Sequence, residues 1–137
     1  MSVRIFISCL TLDSTSRVGD LMPPVFQCPH EIERLGAMGD GGKWTCGVSS
    51  RLSQKKDCVI YSFGVNQDSS FEEDVLETTK HCEIWGYDYS VDGWGKQILS
   101  NHAQRVHFNK IGLSGTDKKD DKAQYHTLET IMKQNGS

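Results

Sequence analysis

Residues 58–73 read CVIYSFGVNQDSSFEE, and the change of character inside this stretch decides the fold. Cys58 to Phe63 form an apolar, β-type run, which Gly64 breaks where a chain turning sharply toward a helix gains from having no Cβ. From Ser69 the sequence restarts as an acidic helix, SSFEEDVLETT. There Ser69 and Glu72 have the spacing of a capping box, and Phe71, Val75 and Leu76 share an apolar face.

The pattern repeats downstream. CEIWGYD is a second strand, VDGWGKQILSNHA a turn and short helix, and RVHFNKIGL a third strand in which Val106 and Phe108 alternate with His107 and Asn109. A polar loop, SGTDKKDDKAQYH, leads to TLETIMKQNG, a helix capped by Thr127 and stopped by Gly136. Strands alternating with helices predict an α/β fold, here the first half of a Rossmann-like doubly wound parallel sheet of about three strands with helices. Upstream, CPHEIERLG reads as a short helix with Pro29 in its first position and Gly36 as its left-handed stop, and the glycine-rich GAMGDGGKWTCG follows. Residues 1–27 lack periodicity and end in MPPVF, which predicts an amino-terminal arm or linker before a domain over 28–137. Within that arm the apolar run Ile5 to Leu12 is an edge strand or a frayed terminus. It is too short, and too poor in small residues at a cleavage position, for a good signal peptide.

A chain of 137 residues fits one domain with a real core. The net charge of -3, with 15 Lys and Arg scattered along the chain, leaves no basic stripe for a phosphate backbone, so nucleic acid is not an expected partner. No apolar run is long enough to span a bilayer, and the composition is that of a soluble protein. Five cysteines without a CxxC pair spell neither a zinc knuckle nor a redox motif, and no metal is expected. In an oxidising compartment Cys28 with Cys46 and Cys58 with Cys82 are the pairs that each flank one structural unit; otherwise they are buried thiols.

The turn after Gly64 aims helix N–H groups at the strand ends, a place for a polar ligand. A dinucleotide site would add further glycines for the pyrophosphate, which disfavours a dinucleotide-dependent oxidoreductase. This chain has Asn66 and Asp68 instead. A carboxylate at Asp68 repels a diphosphate and suits an ammonium or a sulfonium. Asp88 ends the second strand 24 positions beyond Gly64, where a fold of this kind uses an acid to accept both ribose hydroxyls. The alternative is that Asp88 caps the next turn.

Five ordered blocks, GDGGKWTCG, CVIYSFGVNQDSSFE, IWGYDYSVDGW, VHFNKIGLSGTD and TLETIMKQNG, resemble the methyltransferase-like family related to FkbM-type class I S-adenosylmethionine-dependent methyltransferases. The similarity runs from about Cys28 to Gly136. It implies S-adenosyl-L-methionine as cofactor and methyl transfer to an unknown acceptor. By the same resemblance Gly64 is the glycine of the first motif, Asn66 and Asp68 lie beside the methionine part, and Asp88 holds the ribose. Tyr89 and Ser90 border the adenine, Asp117 is a further candidate at its edge, and Asp40, Lys43 and Trp44 belong to the mouth of the site.

The chain departs from that pattern in two places. Ser62 stands where most class I members have an acid two positions before the glycine, and the family's next strand, with its acidic residues, has no counterpart before Ser137. The sequence therefore reads as an amino-terminal part of the fold. A second expectation follows, a truncated, non-catalytic binding or interaction module whose first strand is an exposed apolar edge prone to self-association. No catalytic residue is nominated: His81, His107 and His126 are bases by type alone, while Trp85 and Trp94 are either adenine platforms or core.

Overall fold

A computed structural model describes the backbone of residues 3–8 and, in full, residues 27–39 and 41–136. Its centre is a parallel sheet of four strands, β1 (Val3–Ser8), β4 (Cys58–Phe63), β5 (Cys82–Tyr87) and β6 (Val106–Asn109), in the order β1-β4-β5-β6. Between β1 and β4 lies an antiparallel pair, β2 (Ile32–Leu35) and β3 (Lys43–Cys46), followed by a helical turn at Val48–Leu52.

The run CVIYSF lacks alternation because β4 is covered on both faces. Cys58, Ile60, Cys82 and Ile84 pack with Phe71, Val75 and Leu76 of helix α1 (Ser70–Thr78), and with Leu35, Val48 and Leu52. On the opposite face Tyr61, Phe63 and Tyr87 bury Ile131 of helix α2 (Leu128–Gln134), with Leu128 and Met132 alongside. Burial on two faces demands near-continuous apolarity, as parallel strands show generally. Arg105 closes the far end of α1. Its guanidinium donates to the carbonyls of Leu76 at 2.6 Å and of Thr79 at 2.6 Å, groups that a helix end leaves without intrahelical partners. Both expected cysteine pairs are disulfides, Cys28–Cys46 across the β2–β3 pair and Cys58–Cys82 between directly opposed residues of β4 and β5.

Several sequence expectations need correction. Residues 3–8, where an edge strand or a frayed terminus is expected, form the edge strand β1, so β4 is interior and the exposed edge expected at β4 is occupied by β1. CPHEIERLG is not a helix: eight or nine residues nucleate a helix poorly, and Ile32–Leu35 instead pair with Lys43–Cys46, clamped by the Cys28–Cys46 disulfide. Gly36 does adopt a left-handed φ of 88°, but it ends a strand. The expected third strand stops at Asn109, where Ile111 N–H folds back onto the Asn109 carbonyl at 2.8 Å. The remainder and the polar loop form a small sheet of β7 (Gly112–Leu113), β8 (Lys118–Lys119) and β9 (Gln124–His126), ordered β7-β9-β8. The short helix expected within 91–103 is a tight helical segment at Ser100–Arg105.

The two α-helices start differently. Thr127 caps α2 as expected, its hydroxyl accepting from Thr130 N–H at 3.2 Å, and Gly136 follows with φ 69°. Ser69 occupies the cap position of α1 without capping through its side chain. Its hydroxyl accepts from Gly95 N–H at 2.8 Å, and Asp68 accepts from Ser70 N–H at 3.0 Å. The capping box is therefore absent, and Glu72 is free for another role.

Gly86 in β5 has a packing reason. A Cβ there would lie 2.4 Å from the Trp94 ring, and Trp94 is itself packed against the core. Gly86→Ala is expected to destabilise the fold by about 1–3 kcal/mol through overpacking, read as a lower denaturant midpoint with an unchanged slope.

Candidate functional site

All four parallel strands end on one edge of the sheet, and the residues following β4 and β5 meet there. Gly64 leaves β4 with φ 74° and donates its N–H to the Tyr87 carbonyl at 3.0 Å, which locks the two strand ends together. Asn66 is left-handed as well, with φ 54°, a conformation that asparagine tolerates better than most residues. Its N–H donates to Asp88 Oδ2 at 2.8 Å, while Asp88 Oδ1 accepts from Ser90 N–H at 2.7 Å and Ser90 Oγ at 2.7 Å. Asp88 is thus both the turn cap and the carboxylate at the floor of a cleft.

That cleft holds about 310 Å³ and is lined by Phe63, Gly64, Asn66, Asp88, Tyr89 and Gly112, among others. Asp88 is 6% exposed. Burial, the largest influence on its carboxyl, works to raise the pKa, and the hydrogen bonds from the Ser90 hydroxyl, Asn66 N–H and Ser90 N–H outweigh it. The group is held below the usual carboxylate range and is ionised at neutral pH. Of its roughly four acceptor positions, these three bonds leave one, on Oδ2. Tyr89 is half-exposed, with its ring 5.6 Å from that of Tyr125 on β9. Tyr125 in turn lies close to Gly112, where a Cβ would come within 2.4 Å of it.

Beside the cleft, and sharing Gly64 and Asn66 with it, is a narrow pocket of about 20 Å³ that Gly41, Lys43, Val65, Asp68 and Glu72 complete. The glycine-rich loop reaches this place because it is pinned to α1. Gly36 N–H donates to Asp74 at 2.6 Å and Ala37 N–H to the Ser70 hydroxyl at 2.9 Å. Gly41 sits so close to Asp68 that a Cβ would be 2.2 Å from its carboxylate. A third cleft of about 480 Å³, lined by Asn66, Gln67, Ser90, Trp94, Lys96 and Gln97 among others, opens on the other side of Asn66.

The structure therefore brings Gly64, Asn66, Asp68, Asp88, Tyr89 and Ser90 around one turn, with Lys43 at its side. Asp117 is not among the residues that line these clefts. Its carboxylate accepts from Thr127 N–H and from the Thr130 hydroxyl, each at 2.6 Å, at the start of α2. Both bonds, the Thr130 hydroxyl first, hold the carboxyl below its ordinary range. Thr127→Ala is expected to cost about 1 kcal/mol of stability by removing that helix's cap. Asp117→Ala is expected to loosen the same helix end without changing ligand affinity at the cleft, with thermal melts and calorimetry reading the two effects separately.

Asp40 lies outside the described residues. Trp44 lines a separate apolar cavity of about 280 Å³ with Val48, Leu52, Ile60, Phe71 and Val75. Trp85 stacks on His107 at 4.1 Å between ring centres, and Trp94 meets Phe108 edge-on at 5.9 Å. None of His81, His107 or His126 is among the residues lining the clefts. Tyr125 and Gly112 were not legible as site residues, because each arrives by a contact remote in sequence, and Glu72 was read as half of a capping box.

No group of three or more His, Cys, Asp or Glu suited to a metal ion occurs among the described residues, and none of their helices is long and apolar enough to cross a membrane. A family model described as a methyltransferase domain matches residues 14–135. Neither a curated protein nor a solved structure matches the chain.

Proposed function

Because the chain belongs to the methyltransferase-domain family, matched over residues 14–135, we propose that it binds S-adenosyl-L-methionine at the Gly64–Asp88 turn and serves methyl transfer to an acceptor. The finer assignment, an FkbM-related member with a Rossmann-like sheet, is part of this reading, supported by the five sequence blocks and the parallel order β1-β4-β5-β6. The observation that carries it is Asp88, an ionised carboxylate at the floor of a cleft of about 310 Å³ with acceptor capacity left on Oδ2.

The residues present fit a nucleoside. Oδ2 of Asp88 accepts a ribose hydroxyl, and the Ser90 hydroxyl is able to exchange its bond to Oδ1 for a bond to the second hydroxyl. The exposed Tyr89 ring, backed by Tyr125, supplies a flat apolar wall for a base. Gly64, lacking Cβ and fixed to Tyr87, lets the ligand pass close to the backbone. When bound, the cofactor supplies a methyl group already activated by its sulfonium. What the chain contributes is placement, holding the ligand at a fixed angle to an acceptor.

Isothermal calorimetry of the full chain with S-adenosylhomocysteine tests the reading. Binding that weakens in Asp88→Ala supports it, and an absence of binding by the wild-type chain overturns it. Binding without transfer to any acceptor would favour a non-catalytic module on the same site.

A further inference from the structure

The two disulfides differ in what surrounds them. Cys58 and Cys82 are 2% and 0% exposed in the middle of the sheet, whereas Cys46 is exposed and Cys28 half-buried at the open end of the β2–β3 pair. A disulfide within reach of an external thiolate exchanges readily, while a buried one waits for the fold to open. The surroundings also favour one direction of attack. His30 N–H donates to Cys28 Sγ at 3.3 Å, which stabilises a thiolate leaving from Cys28 when Cys46 Sγ is attacked.

The bond closes an end of the hairpin where packing is sparse. The β2–β3 ladder is four residue pairs long, and a two-stranded pair of that kind has little stability of its own. Trp44, Thr45 and Cys46 face Ile60, Phe71 and Val75 across the apolar cavity of about 280 Å³, so they forgo dispersion contacts on that side. At its other end the same hairpin carries the glycine-rich loop to the site. Gly41 and Lys43 line the narrow pocket beside Gly64 and Asn66, and the loop is tied to α1 by Gly36 N–H on Asp74 and Ala37 N–H on the Ser70 hydroxyl. The hairpin thus joins an accessible covalent bond to one wall of the site.

We propose that the Cys28–Cys46 disulfide is a redox switch: its reduction by a dithiol loosens the β2–β3 pair and the Gly41 and Lys43 wall, and ligand is held less tightly at the Gly64 turn. A thiolate of the dithiol bonds to Cys46 Sγ, the protein S–S bond breaks, and Cys28 leaves as a thiolate that takes up a proton. The second thiol of the dithiol then displaces Cys46, which is protonated in turn. Two electrons and two protons pass to the protein, and the dithiol becomes a disulfide. Cys58–Cys82 stays closed throughout. The effect on affinity rests on the reading of the cleft as the cofactor's.

Timed exposure of the oxidised full chain to dithiothreitol, quenching with N-ethylmaleimide and peptide mass spectrometry test the first part. Cys28 and Cys46 are expected to be labelled about a hundredfold sooner than Cys58 and Cys82. In the chain opened at that one bond, hydrogen exchange at the Gly36 and Ala37 amides should quicken. Calorimetry should show S-adenosylhomocysteine bound about fivefold more weakly, with affinity restored on reoxidation. Cys28→Ser/Cys46→Ser should bind as the opened chain does and ignore dithiothreitol; the reoxidation arm needs no variant to fold. Equal labelling rates at the two disulfides would overturn the proposal, as would selective opening that leaves both exchange and affinity unchanged. If the oxidised chain does not bind S-adenosylhomocysteine, the reading of the cleft falls, and hydrogen exchange alone decides whether the bond governs the loop.

Discussion

Asp88→Ala is expected to weaken binding of S-adenosylhomocysteine about thirtyfold, on the order of 2 kcal/mol for hydrogen bonds to a charged acceptor. The carboxylate also holds the left-handed Asn66 and the Ser90 turn through three bonds. The variant should therefore lose stability too, by roughly 1–3 kcal/mol for donors left without a partner. Two further variants separate the effects. Ser90→Ala removes one donor and spares the acceptor, so its loss of affinity should be the smaller. Asp88→Asn keeps the volume but cannot accept from Asn66 N–H with its amide nitrogen. Acid unfolding gives an independent reading. Asp88 has a folded pKa below the ordinary 3.8, so its stabilising contribution is complete above that value and is lost as the pH falls through the lowered folded pKa. In Asp88→Asn that part of the acid dependence should vanish. An unchanged affinity in Asp88→Ala, with the fold intact by circular dichroism, would place the nucleoside elsewhere.

The second large effect concerns the bond between the strands that carry the site. Cys58 and Cys82 are directly opposed on β4 and β5, both buried, with a sequence separation of 24. Closing a loop of that length removes about 3 kcal/mol of denatured-state entropy in the chain-entropy account. The double variant Cys58→Ala/Cys82→Ala is expected to lose about that much, a large part of a small domain's stability. Because Gly64 and Asp88 stand at the other ends of these strands, ligand affinity at temperatures well below the melt should change far less than stability. Urea titrations of wild type, double variant and reduced wild type check this. A midpoint identical in all three would show that the bond contributes nothing to the equilibrium.

Much of the central fold was legible because it is written locally. The buried run at 58–63, the helix beginning after Ser69, the strand ending at Asp88 and the capped helix after Thr127 each announce themselves within a dozen residues. The strand that escaped notice is held by remote partners, Ile32–Leu35 by Lys43–Cys46 and a disulfide, while residues 3–8, where the sequence offers an edge strand or a frayed terminus, are held by β4. No periodicity within four or six residues carries that information. The site divides in the same way. Gly64 and Asp88 show their relation through spacing along strand and helix units, whereas the spacing that suggested a capping box for Ser69 and Glu72 was the wrong reading of a meaningful coincidence. Asp74 and Ser70 anchor the glycine loop, Gly95 N–H donates to the Ser69 hydroxyl, and Glu72 accepts from Ser62. Asp117 illustrates the converse. The family resemblance alone makes it a candidate at the ligand's edge, and its carboxylate accepts from Thr127 N–H and the Thr130 hydroxyl at the start of the helix that follows.

The placement of β1 has a consequence for the order of assembly. In the sheet Val3 lies opposite Cys58 and Ser8 opposite Phe63, so the segment VRIFIS must wait for its partner to be made. At the usual 5–20 residues per second of synthesis the interval is roughly 3–11 s, far longer than the microseconds in which a short chain collapses. β4 and β5, by contrast, are close in sequence and cross-linked, and contacts between near neighbours form first. Until β4 has been made and the two strands have paired, the apolar segment VRIFIS is open to chaperones and to other chains.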